Sequence, residues 1–211
     1  MINTRTLSLI LLIVFVSFLG FITENIFTSF RSGIIDNRNM IFPFLLGYGL
    51  AVFAIYKLFG TPHVPLFWGK KIAIFSALNS ALYYFLVCFA CVSLGELILG
   101  HLVEWTCKIQ WWNYSSIPLH ITRYTSVPTS AAFSLFITLF MKYLFYPLLN
   151  IFEKMNHQTL ALLALTLIVL ISIDFVHSGL YMLTHQDTLQ LWKIELKKPI
   201  KEFLYDMKGY F

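Results

Sequence analysis

Apolar residues run in long blocks along this chain, and short polar breaks set their limits. Residues 7–27, 41–59, 72–94, 127–149 and 159–183 are almost continuously apolar. Each block approaches the ~20 residues that a helix needs to cross a bilayer. The pattern predicts an all-α, polytopic transmembrane bundle of about five spans over residues 1–185. Arg5 ahead of the first block resembles the start of a signal peptide. The block is too long for one, and no small-residue cleavage pattern follows it, so it reads as a retained span. In the second block, Pro43, Gly47 and Gly49 predict a kink and a close helix approach.

Two segments break the alternation of span and short loop. Residues 95–123 leave the third block with Leu102, Trp105, Ile109 and Trp112 at helical spacing. They read as a helix continuing towards Trp112 in the membrane interface, with Trp and Tyr at headgroup depth. In residues 186–211, Leu189, Trp192, Leu196, Ile200, Phe203 and Met207 form a helical stripe with lysines off it. This predicts an amphipathic, surface-lying tail, which Pro199 keeps from being one straight helix.

Composition strengthens the membrane reading. Only 12% of the 211 residues are charged and 58% are apolar, against about 25% charged in a soluble domain. Mean hydropathy is +0.75. The net charge of +5 lies between apolar blocks and in the tail, where lipid headgroups rather than nucleic acid would meet it. Cys88 and Cys91 stand one turn apart in an apolar block and read as small core residues. No P-loop and no zinc-protease motif occurs, and no cofactor or resident metal is expected. His101, Glu104 and His120 are weak metal candidates, better suited to hydrogen bonding among headgroups.

With five spans, Arg31, Arg38, Lys108, Arg123 and five tail lysines share one side. Arg5, Lys57, Lys70, Lys71, Lys142 and Lys154 belong to the other. Nine against six favours a cytoplasmic tail in an inner (plasma) membrane.

The same serpentine places Glu24, Glu96, Asp174 and His177 at one depth, near the ends of odd-numbered spans. An ionisable group at membrane depth costs ~2.5–3.5 kcal/mol on insertion scales, so such groups face the bundle interior and pair. Asp174 and His177, at i and i+3, are expected to face one cavity. The cavity candidates are Glu24, Glu96, Glu104 and Asp174 for charge or proton transfer, and Arg38, Trp112, Asn113 and Tyr114 for substrate contact. The alternative is a belt of acids neutralised by Arg38, Arg123 or His177 that only fixes helix packing.

Three stretches carry a resemblance. Gly20 to Asn25 (GFITEN), Asn37 to Gly49 (NRNMIFPFLLGYG) and the run from Glu104 ending in WWNYS at Ser115 are similar, in order and spacing, to the CmpB-type family of putative ABC-transporter permeases. In this chain Asn113 stands where that pattern has Asp, Leu46 where it has Pro and Phe42 where it has Gly. The resemblance covers about residues 20–150. It implies a membrane protein working with a separate ATPase. The charge pattern and the small size of the bundle add membrane lipids and further copies of the chain as expected partners. Two alternatives remain open at this point. One is a small intramembrane enzyme acting on a lipid or isoprenoid through carboxylate acid–base chemistry. The other is a non-catalytic assembly factor.

Overall fold

A computed structural model describes residues 2–74 and 76–196. Its elements are α1 (Thr4–Ser32), β1 (Ile34–Asp36), α2 (Leu46–Phe59), β2 (Gly60–Thr61), β3 (Val64–Phe67), β4 (Lys70–Lys71), α3 (Ala77–Cys107), α4 (Val127–Leu139), a π-helical turn (Phe140–Leu144), α5 (Phe145–Glu153), α6 (His157–His185) and β5 (Lys193–Glu195). The helix running from Val127 through the π turn to Glu153, together with α1, α3 and α6, makes four helices long and apolar enough to cross a membrane. α2, with 14 residues, is shorter, about 21 Å at 1.5 Å per residue. The chain is thus a multi-pass, mainly helical membrane protein.

Helix starts follow local chemistry. The side chains of Asn3, Ser76, Ser126 and Asn156 each accept a first-turn N–H of α1, α3, α4 and α6, satisfying donors that have no intrahelical partner. α1 is the centre of the bundle. Half of its most apolar stretch is buried, against 17% for α3 and 22% for α6. Leu12 and Val16 of α1 pack with Val52, Ile55 and Phe59 of α2, Tyr84 and Cys88 of α3, and Met141, Phe145 and Leu149. Helices α1, α3 and α6 run in one direction. Thr4 and His157 meet at their starts, at 3.3 Å, and Arg31 reaches Asn113 beyond their ends.

The second apolar block departs from the expected span. Residues 41–45 are not helical, and α2 begins only at Leu46. Pro43 pushes the residue before it away from the helical region. The Leu45 N–H donates to the Ser17 carbonyl at 2.9 Å, midway along α1, so the chain dips into the bundle before turning into α2. Its exposed donors find partners. Asp174 of α6, only 2% exposed, accepts Ile41 N–H (2.9 and 3.1 Å) and Phe42 N–H (2.8 Å). Gly49 lets α2 close on α1, since a Cβ there would lie 2.5 Å from Ser17 Oγ and against the Ile13 carbonyl.

Two further expectations change. α3 does continue past Gly95 but stops at Cys107, where Lys108 takes a left-handed φ of 60°. Beyond it Trp112 Nε1 donates to the Tyr124 carbonyl (2.9 Å) and Tyr114 N–H to the Arg123 carbonyl (2.7 Å). These pairings hold the irregular segment 111–114 against 123–124, and Trp112 is not on the helix.

The tail is likewise not helical where it is described. Lys193–Glu195 pairs antiparallel with Ile34–Asp36. Asn37 donates to the Leu189 carbonyl (2.8 Å) and accepts Leu191 N–H (3.1 Å), while Asn39 accepts Leu189 N–H (2.6 Å). A free sheet edge and two buried amides outweigh a helical stripe only two turns long. Ile200, Phe203 and Met207 lie outside the described residues.

Candidate functional site

Glu24, Glu96 and Asp174 fall 20, 19 and 17 residues into α1, α3 and α6. At 1.5 Å per residue all three sit about 26–30 Å from the same end of the bundle. Having one level does not give them one role.

Glu24 accepts a hydrogen bond from the Tyr48 hydroxyl. That contact exists because Gly20, one turn earlier on α1, leaves room for the tyrosine ring. A Cβ on Gly20 would come within 2.6 Å of Tyr48 Cγ. Phe133 of α4 packs tilted against the ring, at 5.9 Å between centroids.

Glu96 accepts from Ser130 Oγ of α4 at 3.0 Å, and Ser130 in turn lies 3.0 Å from Thr125 Oγ1. The hydroxyls of Thr125 and Tyr114 also face this carboxylate. Tyr114 is buried, packs edge-on to Phe27 (6.1 Å), and lies 5.7 Å from the Arg31 guanidinium. Arg31 donates to the Asn113 carbonyl (2.6 Å) and Ser116 Oγ (2.9 Å), tying the loop after α3 to the end of α1. Burial, then the nearby Glu24 and Glu96 charges, push the Tyr114 phenol well above its ordinary value. Its hydroxyl faces the Glu96 carboxylate, with Glu24 nearby.

Two glutamates and two tyrosines, drawn from α1, α2, α3 and the 108–126 loop, therefore meet at one level. Among the described residues Glu104, Asp36 and Glu195 each pair with a cationic side chain within 4.0 Å, whereas Glu24 and Glu96 form no such pair. Arg38 is the cation facing Glu24, but its guanidinium is held by both Asp36 oxygens, each at 2.6 Å.

The other expected residues lie apart from this cluster. Asp174 holds the backbone at Ile41 and Phe42, with Ser178 Oγ 3.4 Å away. His177 is exposed, so the two do not face one cavity, and the buried neighbour of Asp174 on its helix is Ser178, at i+4. Glu104 pairs with Arg123 (3.0 Å), and His101 is 4.0 Å away. Trp112 packs edge-on against Tyr124. Asn113 is exposed and accepts Ser115 N–H at 2.8 Å, closing a turn.

Tyr48, Thr125 and Ser130 were not among the sequence candidates. Tyr48 sits between Gly47 and Gly49, and Gly20 precedes Glu24 by four residues, a spacing that marks a large ring lying against a helix. Ser126, Ser130, Ser134 and Thr138 recur every four residues and are all buried, a hydroxyl face visible in the sequence. Two cavities lie away from the cluster. One of about 420 Å³ is lined by His63, Lys71 and Ser76 at the far end, and one of about 310 Å³ by Leu11, Phe18, Phe44 and Leu167.

Comparison with known proteins gives one match. The family described as "Putative ABC-transporter type IV" matches residues 11–179, a segment that contains every member of the cluster. No curated protein and no solved structure matches significantly.

Proposed function

The chain belongs to the Putative ABC-transporter type IV family, and we propose that it is the membrane subunit of a transporter whose substrate is recognised by Glu24, Tyr48, Tyr114 and Glu96. One observation carries this reading: two inward carboxylates without an ion pair among the described residues converge with two phenols at one level. Keeping acids at such depth is costly, and a purely structural belt would pair them, as Asp36 is paired with Arg38.

The chemistry favours a substrate with a cationic or multiply hydrogen-bonding polar group, on a lipid-like or small molecule. Glutamate oxygens attract the charge, and aromatic faces accept a cation as well. Tyr48 faces Glu24 and Tyr114 faces Glu96, so substrate binding exchanges one set of hydrogen bonds for another. Entry of the substrate then requires residues 37–45 or 111–116 to move, since both segments border the cluster.

Energy comes from a separate ATPase, docked on the side that carries β1 and β5. The Lys and Arg count favours placing that side in the cytoplasm of a cell with the protein in its inner membrane. The wide lipid-facing surfaces of α3 and α6 leave room for a second copy of the chain.

Tagged protein extracted in mild detergent is expected to bring down an ATPase in fixed proportion, with ATP hydrolysis that rises when the chain is added back to the isolated ATPase. Hydrolysis indifferent to the chain would contradict the transporter reading.

A further inference from the structure

The end of the bundle opposite the carboxylates carries a second assembly, independent of the cluster. β3 and β4 form a hairpin in which Phe67 pairs with Lys70 across Trp68 and Gly69. Those two residues take φ values of +49° and +78°, the left-handed pair that a two-residue hairpin turn requires. The turn drives Phe67 and Trp68 outward, 53% and 63% exposed, while Phe59 supports the Trp68 ring from below at 5.8 Å. Lys70 and Lys71 follow on the exposed return strand.

The hairpin is fixed to the bundle. His63 Nε2 lies 2.7 Å from the Lys142 carbonyl. A carbonyl only accepts, so Nε2 carries the proton. That carbonyl belongs to the π turn, whose wider winding shifts the hydrogen-bond register. Beside the hairpin opens the cavity of about 420 Å³, lined by His63, Pro65, Lys71 and Ser76. Charge at this end is one-sided. Arg5, Lys57, Lys70, Lys71, Lys142 and Lys154 lie here, against Glu153 as the acid among the described residues.

We propose that the Val64–Lys71 hairpin and the adjoining cavity bind the headgroup of an anionic phospholipid. Exposed Trp and Phe belong at headgroup depth. The two lysines next to them supply the attraction for a phosphodiester, and the cavity holds a headgroup rather than a flat surface charge. The site differs from general basic attraction because its aromatic tip, its lysines and its cavity are contiguous.

The test is native mass spectrometry of the full chain in detergent. Phosphatidylglycerol or phosphatidylcholine with identical acyl chains is added stepwise to the wild type, to Lys70→Ala/Lys71→Ala and to Lys154→Ala. Each lysine near an anionic surface contributes about fivefold in affinity. The wild type should therefore prefer phosphatidylglycerol at least fivefold, the double variant should bind the two lipids alike, and Lys154→Ala should behave as wild type. Equal binding of both lipids by the wild type would overturn the proposal. So would an equal loss in Lys154→Ala, which would mean diffuse charge, or displacement of the bound lipid by millimolar inorganic phosphate. Both lysines are exposed and unpaired with any acid among the described residues, so a fold defect is not expected, and an unchanged melting temperature checks this.

Discussion

Asp174→Asn should destabilise the protein without touching its substrate site. In the wild type both carboxylate oxygens are used. Oδ1 takes Ile41 N–H at 2.9 Å and Oδ2 takes Phe42 N–H at 2.8 Å, with a longer 3.1 Å contact from Ile41 to Oδ2. Asparagine keeps one acceptor and turns an amide donor towards the other N–H. A hydrogen bond to a charged group contributes about 1.5–3 kcal/mol, and a buried donor left alone costs about 1–3 kcal/mol. The two effects overlap, which gives a loss of roughly 2–4 kcal/mol. For a chain of this size 1 kcal/mol shifts the midpoint by about 2–4 °C, so a fall of about 5–15 °C is expected. Ser178→Ala should cost under about 1 kcal/mol, because its contact is long, at 3.4 Å. Tryptophan fluorescence during heating in one detergent reads all three proteins. An Asp174→Asn variant that melts with the wild type, yet no longer binds or moves substrate, would refute this assignment and return Asp174 to the site.

Two further outcomes follow from the packing and the charges. Gly49→Ala forces α2 away from the Ile13 carbonyl and from Ser17 Oγ. It should cost about 1–3 kcal/mol, whereas Gly47→Ala, with nothing within 4 Å of its Cβ, should be neutral or slightly stabilising in the same melt. At Asp36 burial raises the carboxyl value, but the hydrogen bonds and charge of Arg38 overcome this and leave it below the ordinary range. A lowered value means that the pair's stabilisation is complete above the unfolded-state value near 3.9 and disappears as pH falls through the lower folded value. The β1–β5 pairing should therefore loosen below about pH 4, seen as a change in Trp192 emission, and Asp36→Asn should remove that acid transition.

The order of spans and the common level of Glu24, Glu96 and Asp174 were legible because they depend on local periodicity and on counting crossings. What was not legible depends on partners far away in the chain. The failure of helix at 41–45 shows in Pro43, but its cause as a stable structure is the Asp174 carboxylate 133 residues later. The tail's stripe is a sound helical signal that loses to the edge of β1 and the amides of Asn37 and Asn39. Tyr48 reaches Glu24 only because Gly20 faces it. No pattern within either block states that pairing. Trp112 and Asn113 were read as substrate contacts, whereas in the structure both help to hold the loop that presents Tyr114.

The central claim is that Glu24 and Glu96 recognise substrate rather than hold helices together. Native mass spectrometry of protein purified with its bound molecules, wild type beside Glu96→Gln, tests it most directly. Glutamine still accepts from Ser130 Oγ and keeps the side chain's shape, but it lacks the charge. The account predicts a specific bound molecule in the wild type, its loss in Glu96→Gln and a melting temperature unchanged within a few degrees. A variant that retains every bound species, or one that loses them only because it unfolds, would contradict it.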